Sequence, residues 1–203
     1  MNGRAGPALP GRVGPNAITQ VATALERAVG RCHTRELFES AGLDGYLAHP
    51  PDGMVAEREV IALHAALRRT LPPRLHSQIS LAAGQATGDY LLRCRIPRVA
   101  QHLLHAVATP WGTRLLVGAI RRHAWTFTGS GRLRLEYAPL PVFVLEDCPL
   151  CRDARHPAAV CGYFAATFER LFQRIIDPGL CVTETHCAAQ GERACRFALS
   201  WMA

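Results

Sequence analysis

Residues 180–201 read Leu-Cys-Val-Thr-Glu-Thr-His-Cys-Ala-Ala-Gln-Gly-Glu-Arg-Ala-Cys-Arg-Phe-Ala-Leu-Ser-Trp, and the reading of the fold turns on them. Two short stretches, 180–184 and 194–201, carry β-branched, aromatic and alternating apolar residues on either side of a turn at Gly191, which predicts a hairpin. Folding the chain back there brings Cys187 toward Cys195, with Glu184 beside them. Two thiols and a carboxylate converging in this way suit a metal ion, and a structural zinc takes about four such ligands in a tetrahedron. The missing ligand lies upstream, where Cys161 is best placed. It precedes a segment over 163–176 with Phe164, Phe168, Leu171, Phe172 and Ile175 at helical spacing, ended by Pro178-Gly179, that returns the chain to the hairpin.

Other residues compete for the same role. Cys148-Pro-Leu-Cys151 is a C-x2-C pair able to join Cys161 or His156 in a zinc or iron–sulfur site, but no second C-x2-C completes it. His186 could replace Glu184, although adjacent strand residues face opposite ways. The plainer alternative is that several of these cysteines are small buried hydrophobes. The chain holds eight cysteines, six of them between 148 and 195. No apolar run lies between Arg4 and Arg12, so a secretory signal is not expected and the expected compartment is the cytoplasm. Clustered cysteines in a reducing compartment bind metal or do redox chemistry more often than they form disulfides.

Upstream of 123 the pattern is helical. Residues 1–14 are rich in Gly, Pro and Arg and are expected to be a flexible leader. Ile18, Val21, Ala22, Leu25 and Val29 share one helical face; Thr34 can cap a short helix ending at Gly42; Val60, Ile61, His64 and Leu67 form a stripe over 55–69. A long helix over 75–95 places Gly84 and Gly88 four apart, permitting close approach of another helix or of a flat ligand. Pro97 and Pro110 open two further helices, 97–106 and 110–123. From His123 the character changes: 124–128 and 132–137 read as the strands of a hairpin turned at Gly129-Ser-Gly131, and 141–146 as a further strand. Helices first and then strands with one helix predict a single α+β domain over 15–203, with N-terminal helices (15–123) packed with an antiparallel, strand-rich part (124–203) that contains the zinc candidate.

Composition narrows the function. Of 203 residues, 49% are hydrophobic and 19% charged, enough for a sizeable core and too apolar for disorder. No stretch reaches the roughly 18–20 apolar residues of a membrane span. The net charge is +7, carried by 23 arginines with no lysine, scattered rather than gathered into a stripe, so nucleic acid is not indicated.

The pattern Cys161 … Glu184-x2-Cys187-x3-Gly191-x3-Cys195-x-Phe197 resembles the closing motif of the V4R (vinyl-4-reductase) domain, a small-molecule-binding module also found in phenol-sensing transcription regulators. The resemblance implies a structural zinc on Cys161, Glu184, Cys187 and Cys195. Val13-Gly-Pro-Asn-Ala-Ile18, Glu57-Arg-Glu-Val60, Thr87-Gly-Asp-Tyr-Leu-Leu92, Arg95-Ile-Pro97, His123-Ala-Trp-Thr-Phe127 with Gly129-Ser-Gly131, and the segment from Tyr163 to Phe172 are similar to the bacteriochlorophyll-biosynthesis branch of that family, over nearly the whole chain after residue 12. It also implies an α+β fold related to that of trafficking subunits, often dimeric, and an association with reduction of the 8-vinyl (4-vinyl) group of divinyl chlorophyllide or protochlorophyllide.

A reduction needs an electron source, and the residues supply no nicotinamide, flavin or phosphate-loop signature: Gly129-Ser-Gly131 has no third glycine at Arg134 and does not open a helix after a strand. A zinc closed by four protein ligands is structural and offers substrate no open position. The expectation is therefore a protein that binds a magnesium tetrapyrrole and carries or presents it to bacteriochlorophyll biosynthetic enzymes, from the cytoplasm or the periphery of the photosynthetic membrane. A vinyl reductase using an external reductant, and a zinc-stabilised sensor or interaction module, are the alternatives. A flat pigment wants apolar walls, an axial ligand and a cation for its propionate. His123, Trp125, Phe127, Arg122 (or Arg121) and Tyr90 are the candidates, with His102, His105 and His64 as rival axial ligands.

Overall fold

The computed structural model describes residues 11–137 and 139–201. Arg12–Val13 (β1) pairs antiparallel with Val55–Ala56 (β2), and the Glu57 amide donates to the Gly11 carbonyl at 2.8 Å. Val13 is buried, so the end of the expected leader is part of the core, held by a two-strand ladder; residues 1–10 lie outside the described residues. Helix α1 (Asn16–Ser40) breaks at Gly30, whose φ of 78° and ψ of 169° are foreign to a helix, so the two predicted helices form with Gly30 as the joint. Thr34 is not a cap; its hydroxyl donates back to the Gly30 carbonyl at 2.9 Å. A single turn, α2 (Gly45–Ala48), precedes α3 (Glu57–Thr70), α4 (Pro73–Cys94), α5 (Arg98–Ala106) and α6 (Thr109–Arg122). Pro73 and Pro110 sit in the first turns of α4 and α6, where a missing amide hydrogen costs nothing.

The strand expected over 124–128 is a helical turn, α7 (Trp125–Thr128). The amides of Phe127 and Thr128 both donate to the Ala124 carbonyl at 2.9 Å, and the turn lowers Phe127 onto Phe164 and Phe168, ring centroids 5.8 Å away. Tertiary packing overrides the β preference of these residues. The hairpin forms one element later, between β3 (Arg132–Tyr137) and β4 (Pro141–Glu146). Helix α8 (Gly162–Ile175) follows, then β5 (Leu180–His186), a 3-10 turn at Ala188–Gln190 and β6 (Cys195–Trp201). The sheet is antiparallel in the order β3-β4-β6-β5.

Helix α8 is buried on nearly every side because it lies between two layers. On the sheet side Phe143 stacks on Phe168 at 4.7 Å, and Phe197 meets Phe164 and Phe168 edge-on. On the helix side, a Cβ on Gly84 would fall 2.3 Å from the Tyr163 carbonyl oxygen and one on Gly88 2.6 Å from the Arg170 Cβ. The small-residue face of α4 is thus filled by a helix; the flat ligand considered for it has no room there. Asp89 accepts a forked pair of hydrogen bonds from Arg170, at 2.7 and 3.1 Å, where α4 and α8 meet.

Candidate metal centre

Cys161 occupies the residue before the first turn of α8, and β5 and β6 bring the rest of the cluster to it. In the β5–β6 ladder Glu184 faces Phe197 and His186 faces Arg196; the irregularity between them bends the strand, after which Cys187 leads into the 3-10 turn. Gly191, with φ of 95°, closes that turn in the left-handed region. Cys195 opens β6 opposite Leu145 of β4, so the loop after β4 passes over it carrying Cys148 and Cys151. Asp147 and Asp153 bracket that loop with φ of 52° and 57°, and Arg152 ties it to the buried Glu57 of α3 at 2.9 Å.

Five cysteines converge, all buried: Cys148, Cys151, Cys161, Cys187 and Cys195. The sulfurs of Cys148 and Cys161 are 3.5 Å apart, Cys151 and Cys195 3.4 Å, Cys161 and Cys195 3.7 Å, and Cys161 and Cys187 4.0 Å. Four sulfurs at about 2.3 Å around a tetrahedral zinc stand about 3.8 Å from one another, in the middle of this range. The ligand atoms of Cys161, Glu184, Cys187 and Cys195 all lie within 4.8 Å of one another, as do those of Cys148, Cys151, Cys161 and Cys195.

Glu184 supplies the observation that tests whether a cation fits. Its Oε2 accepts the Cys161 amide at 2.8 Å, while its buried Oε1 has no hydrogen-bond partner among the described residues. A buried carboxylate oxygen without a donor is costly. Burial first, then the neighbouring Cys187, pushes the Glu184 carboxyl up to about 9, and burial pushes the Cys148 thiol up. A divalent cation among these donors reverses both penalties, holding thiols as thiolates and the acid as carboxylate. The Arg68 guanidinium of α3, half-buried and bonded to the Leu150 carbonyl, faces the same cluster. No feature near Arg68 in the sequence marks it, because only packing of α3 under the loop brings it there. The buried cysteine cluster can bind a metal ion.

The remaining candidates fall elsewhere. His156 is half-buried, its Nδ1 beside the Ala158 backbone, and His186 is exposed with its Nδ1 3.1 Å from the Thr185 hydroxyl; neither joins the two donor sets. Cys32 and Cys94 are exposed and Cys181 half-buried, all outside the cluster. His123 ends α6, exposed, its Nδ1 2.9 Å from the Ala119 carbonyl. Trp125 is 62% exposed, whereas Phe127 is turned into the aromatic core and Tyr90 is half-buried on α4. Arg121 and Arg122 are exposed at the end of α6, as are His102 and His105 on α5, and His64 is buried in α3.

The V4R domain family model matches residues 141–200, the span from β4 to β6 that holds the whole cluster. Over 197 residues the chain is 41% identical to the bacteriochlorophyll synthase 23 kDa chain of Cereibacter sphaeroides, covering 96% of this chain and 93% of that one. The chain belongs to that V4R-domain family. A second member, the bacteriochlorophyll synthase 23 kDa chain of Rhodobacter capsulatus, is 40% identical over 190 residues, covering 93% of this chain and 86% of the relative. Among solved structures, an H-NOX protein from S. oneidensis in the Fe(II)NO ligation state superposes with a TM-score of 0.50 at 12% identity, over 94% of this chain and all of that one. At that identity the likeness speaks for the α+β fold alone. No helix among the described residues of this family member is long and apolar enough to cross a membrane.

Proposed function

We propose that this chain acts in bacteriochlorophyll biosynthesis by binding a magnesium tetrapyrrole of the divinyl or monovinyl protochlorophyllide or chlorophyllide type and presenting it to the biosynthetic enzymes. A zinc on Cys161, Glu184, Cys187 and Cys195 holds the fold that does so. The observation that carries the reading is the near full-length similarity to the bacteriochlorophyll synthase 23 kDa chains. Exposed apolar area supports the binding step: Val99 and Leu103 one turn apart on α5, and Trp111 and Leu115 one turn apart on α6, are each more than half exposed, and Trp125 follows on α7. Each helix thus puts a pair of large apolar side chains on one exposed face, the kind of surface that serves as an interaction site. His123 suits an axial ligand: with Nδ1 donating to the Ala119 carbonyl, the ring is oriented and Nε2 keeps its lone pair. Arg122 beside it suits a propionate.

Absorbance titration of the purified protein with divinyl and with monovinyl protochlorophyllide tests this, with NADPH added to the complex at the end. Saturable, red-shifted binding that weakens about tenfold in His123→Ala, without conversion of the spectrum, is expected for a carrier. Conversion to monovinyl pigment identifies a reductase instead, and absence of saturable binding removes the pigment from the reading.

A further inference from the structure

The cluster has more donors than one ion can use. A tetrahedral cation takes four ligands, but five thiols and one carboxylate converge here. They divide into two quartets: Cys148, Cys151, Cys161 and Cys195 on one side, and Cys161, Glu184, Cys187 and Cys195 on the other. The two quartets have Cys161 and Cys195 in common, with their sulfurs 3.7 Å apart.

We propose that the site is binuclear, two divalent thiophilic ions such as Zn2+ bridged by the thiolates of Cys161 and Cys195, with Cys148 and Cys151 completing one ion and Glu184 and Cys187 the other. This rests on the reading that the second quartet holds a metal, and adds an ion to it. Each bridging sulfur serves both tetrahedra, so six donors satisfy eight coordination positions with none left over. The contact from terminal Cys148 to bridging Cys161 is 3.5 Å, from Cys151 to Cys195 3.4 Å, and from Cys187 to Cys161 4.0 Å. All bracket the roughly 3.8 Å edge of a zinc–thiolate tetrahedron.

The charge balance is that of thiolate centres generally. Five thiolates and one carboxylate carry six negative charges against four positive from the two ions, and the Arg68 guanidinium facing the cluster offsets part of the remainder. Loading releases the thiol and carboxyl protons to solvent. With a single ion in the Glu184 quartet, Cys148 and Cys151 would instead remain buried thiols within 3.5 Å of metal-bound sulfur, able to offer only weak S–H donors. A cavity of about 540 Å³ lies on their side, lined by Cys148, Cys151, Arg152, Gly191 and Arg193, among others.

Metal content of the full chain purified with zinc present, together with cadmium NMR of the cadmium-exchanged protein, decides the matter. The expected result is two equivalents per chain and two cadmium resonances coupled to each other, one in the four-sulfur range and one in the range for three sulfurs and an oxygen. The Cys148→Ser/Cys151→Ser variant should fall from two equivalents to one and keep its circular dichroism. One equivalent in the wild type, whether or not the double variant retains it, overturns the binuclear centre; retention leaves the Glu184 quartet standing as a mononuclear site, and loss moves the single ion to the four cysteines. No metal in the wild type overturns the underlying metal reading as well. Should the double variant fail to fold, the wild-type stoichiometry and the coupled resonances still decide.

Discussion

His64 is 1% exposed, and neither of its ring nitrogens has a hydrogen-bond partner among the described residues. Its ring meets Tyr163 edge-on at 6.1 Å. Burial, then the positive Arg68 and the neighbouring His76, lower its pKa to about 3. In the unfolded chain it titrates near 6.5. The folded form therefore binds fewer protons, so its stability is complete above pH 6.5 and is lost as the pH falls from there toward 3. By pH 5 the loss from this residue is about 2 kcal/mol; His76, held near 4 chiefly by burial, adds in the same direction. We expect His64→Leu to lose about 2 kcal/mol less than wild type between pH 7 and pH 5, measured by denaturant midpoints at the two values. Equal losses in the two proteins would refute this. The sequence marks His64 as one of a helical stripe, of which Val60, His64 and Leu67 are buried and Ile61 half-buried; that the imidazole is sealed with no partner among the described residues depends on Tyr163, about a hundred positions away.

Among the elements, the pair α4 and α8 bears the closest approach. Thr167 donates to the Gly84 carbonyl at 3.1 Å across it, and the absent side chain at Gly84 is what lets the backbones meet. Gly84→Ala drives a methyl into the Tyr163 carbonyl, which a backbone atom cannot avoid by changing rotamer, and we expect destabilisation of about 3 kcal/mol. Gly118, exposed in α6 with none of the described residues within 4 Å of the place a methyl would take, is the control; Gly118→Ala should gain about 0.5–1 kcal/mol from helix propensity. Thermal melts of both read the difference, and similar shifts would show that α4 and α8 can move apart. The Gly84/Gly88 spacing is legible as a close-approach face, but whether a helix or a ligand fills it is set by α8, whose position no local pattern specifies. The stretch 124–128 shows the same limit: its β-forming residues became α7 because Phe127 gains more from the Phe164–Phe168 cluster than from a ladder.

At the scale of the molecule, the cysteine cluster joins the loop after β4, the start of α8, the end of β5 and the start of β6, so metal there fastens four segments at once. Removing it with a strong chelator should lower Tm by about 10 °C, the shift that a loss of about 4 kcal/mol gives at this chain length, and zinc should restore it. Cys195→Ser, which removes a thiolate common to both quartets, should melt near the chelated value and respond little to chelator. An unchanged Tm after metal analysis confirms removal would show that packing alone holds these segments. The helix-then-strand order, the hairpin about Gly191 and the spacing of Cys161, Glu184, Cys187 and Cys195 are legible along the chain, because periodicity, turn residues and ligand intervals are properties of neighbouring positions. Folding in three dimensions is what makes Cys148 and Cys151 face the same sulfurs, sets Arg68 against them, turns Phe127 inside and Trp125 outside, and buries one oxygen of Glu184 with no partner among the described residues. Each depends on how the sheet packs on α8 and where the loop after β4 comes to rest, and those are settled by contacts between residues far apart in the chain.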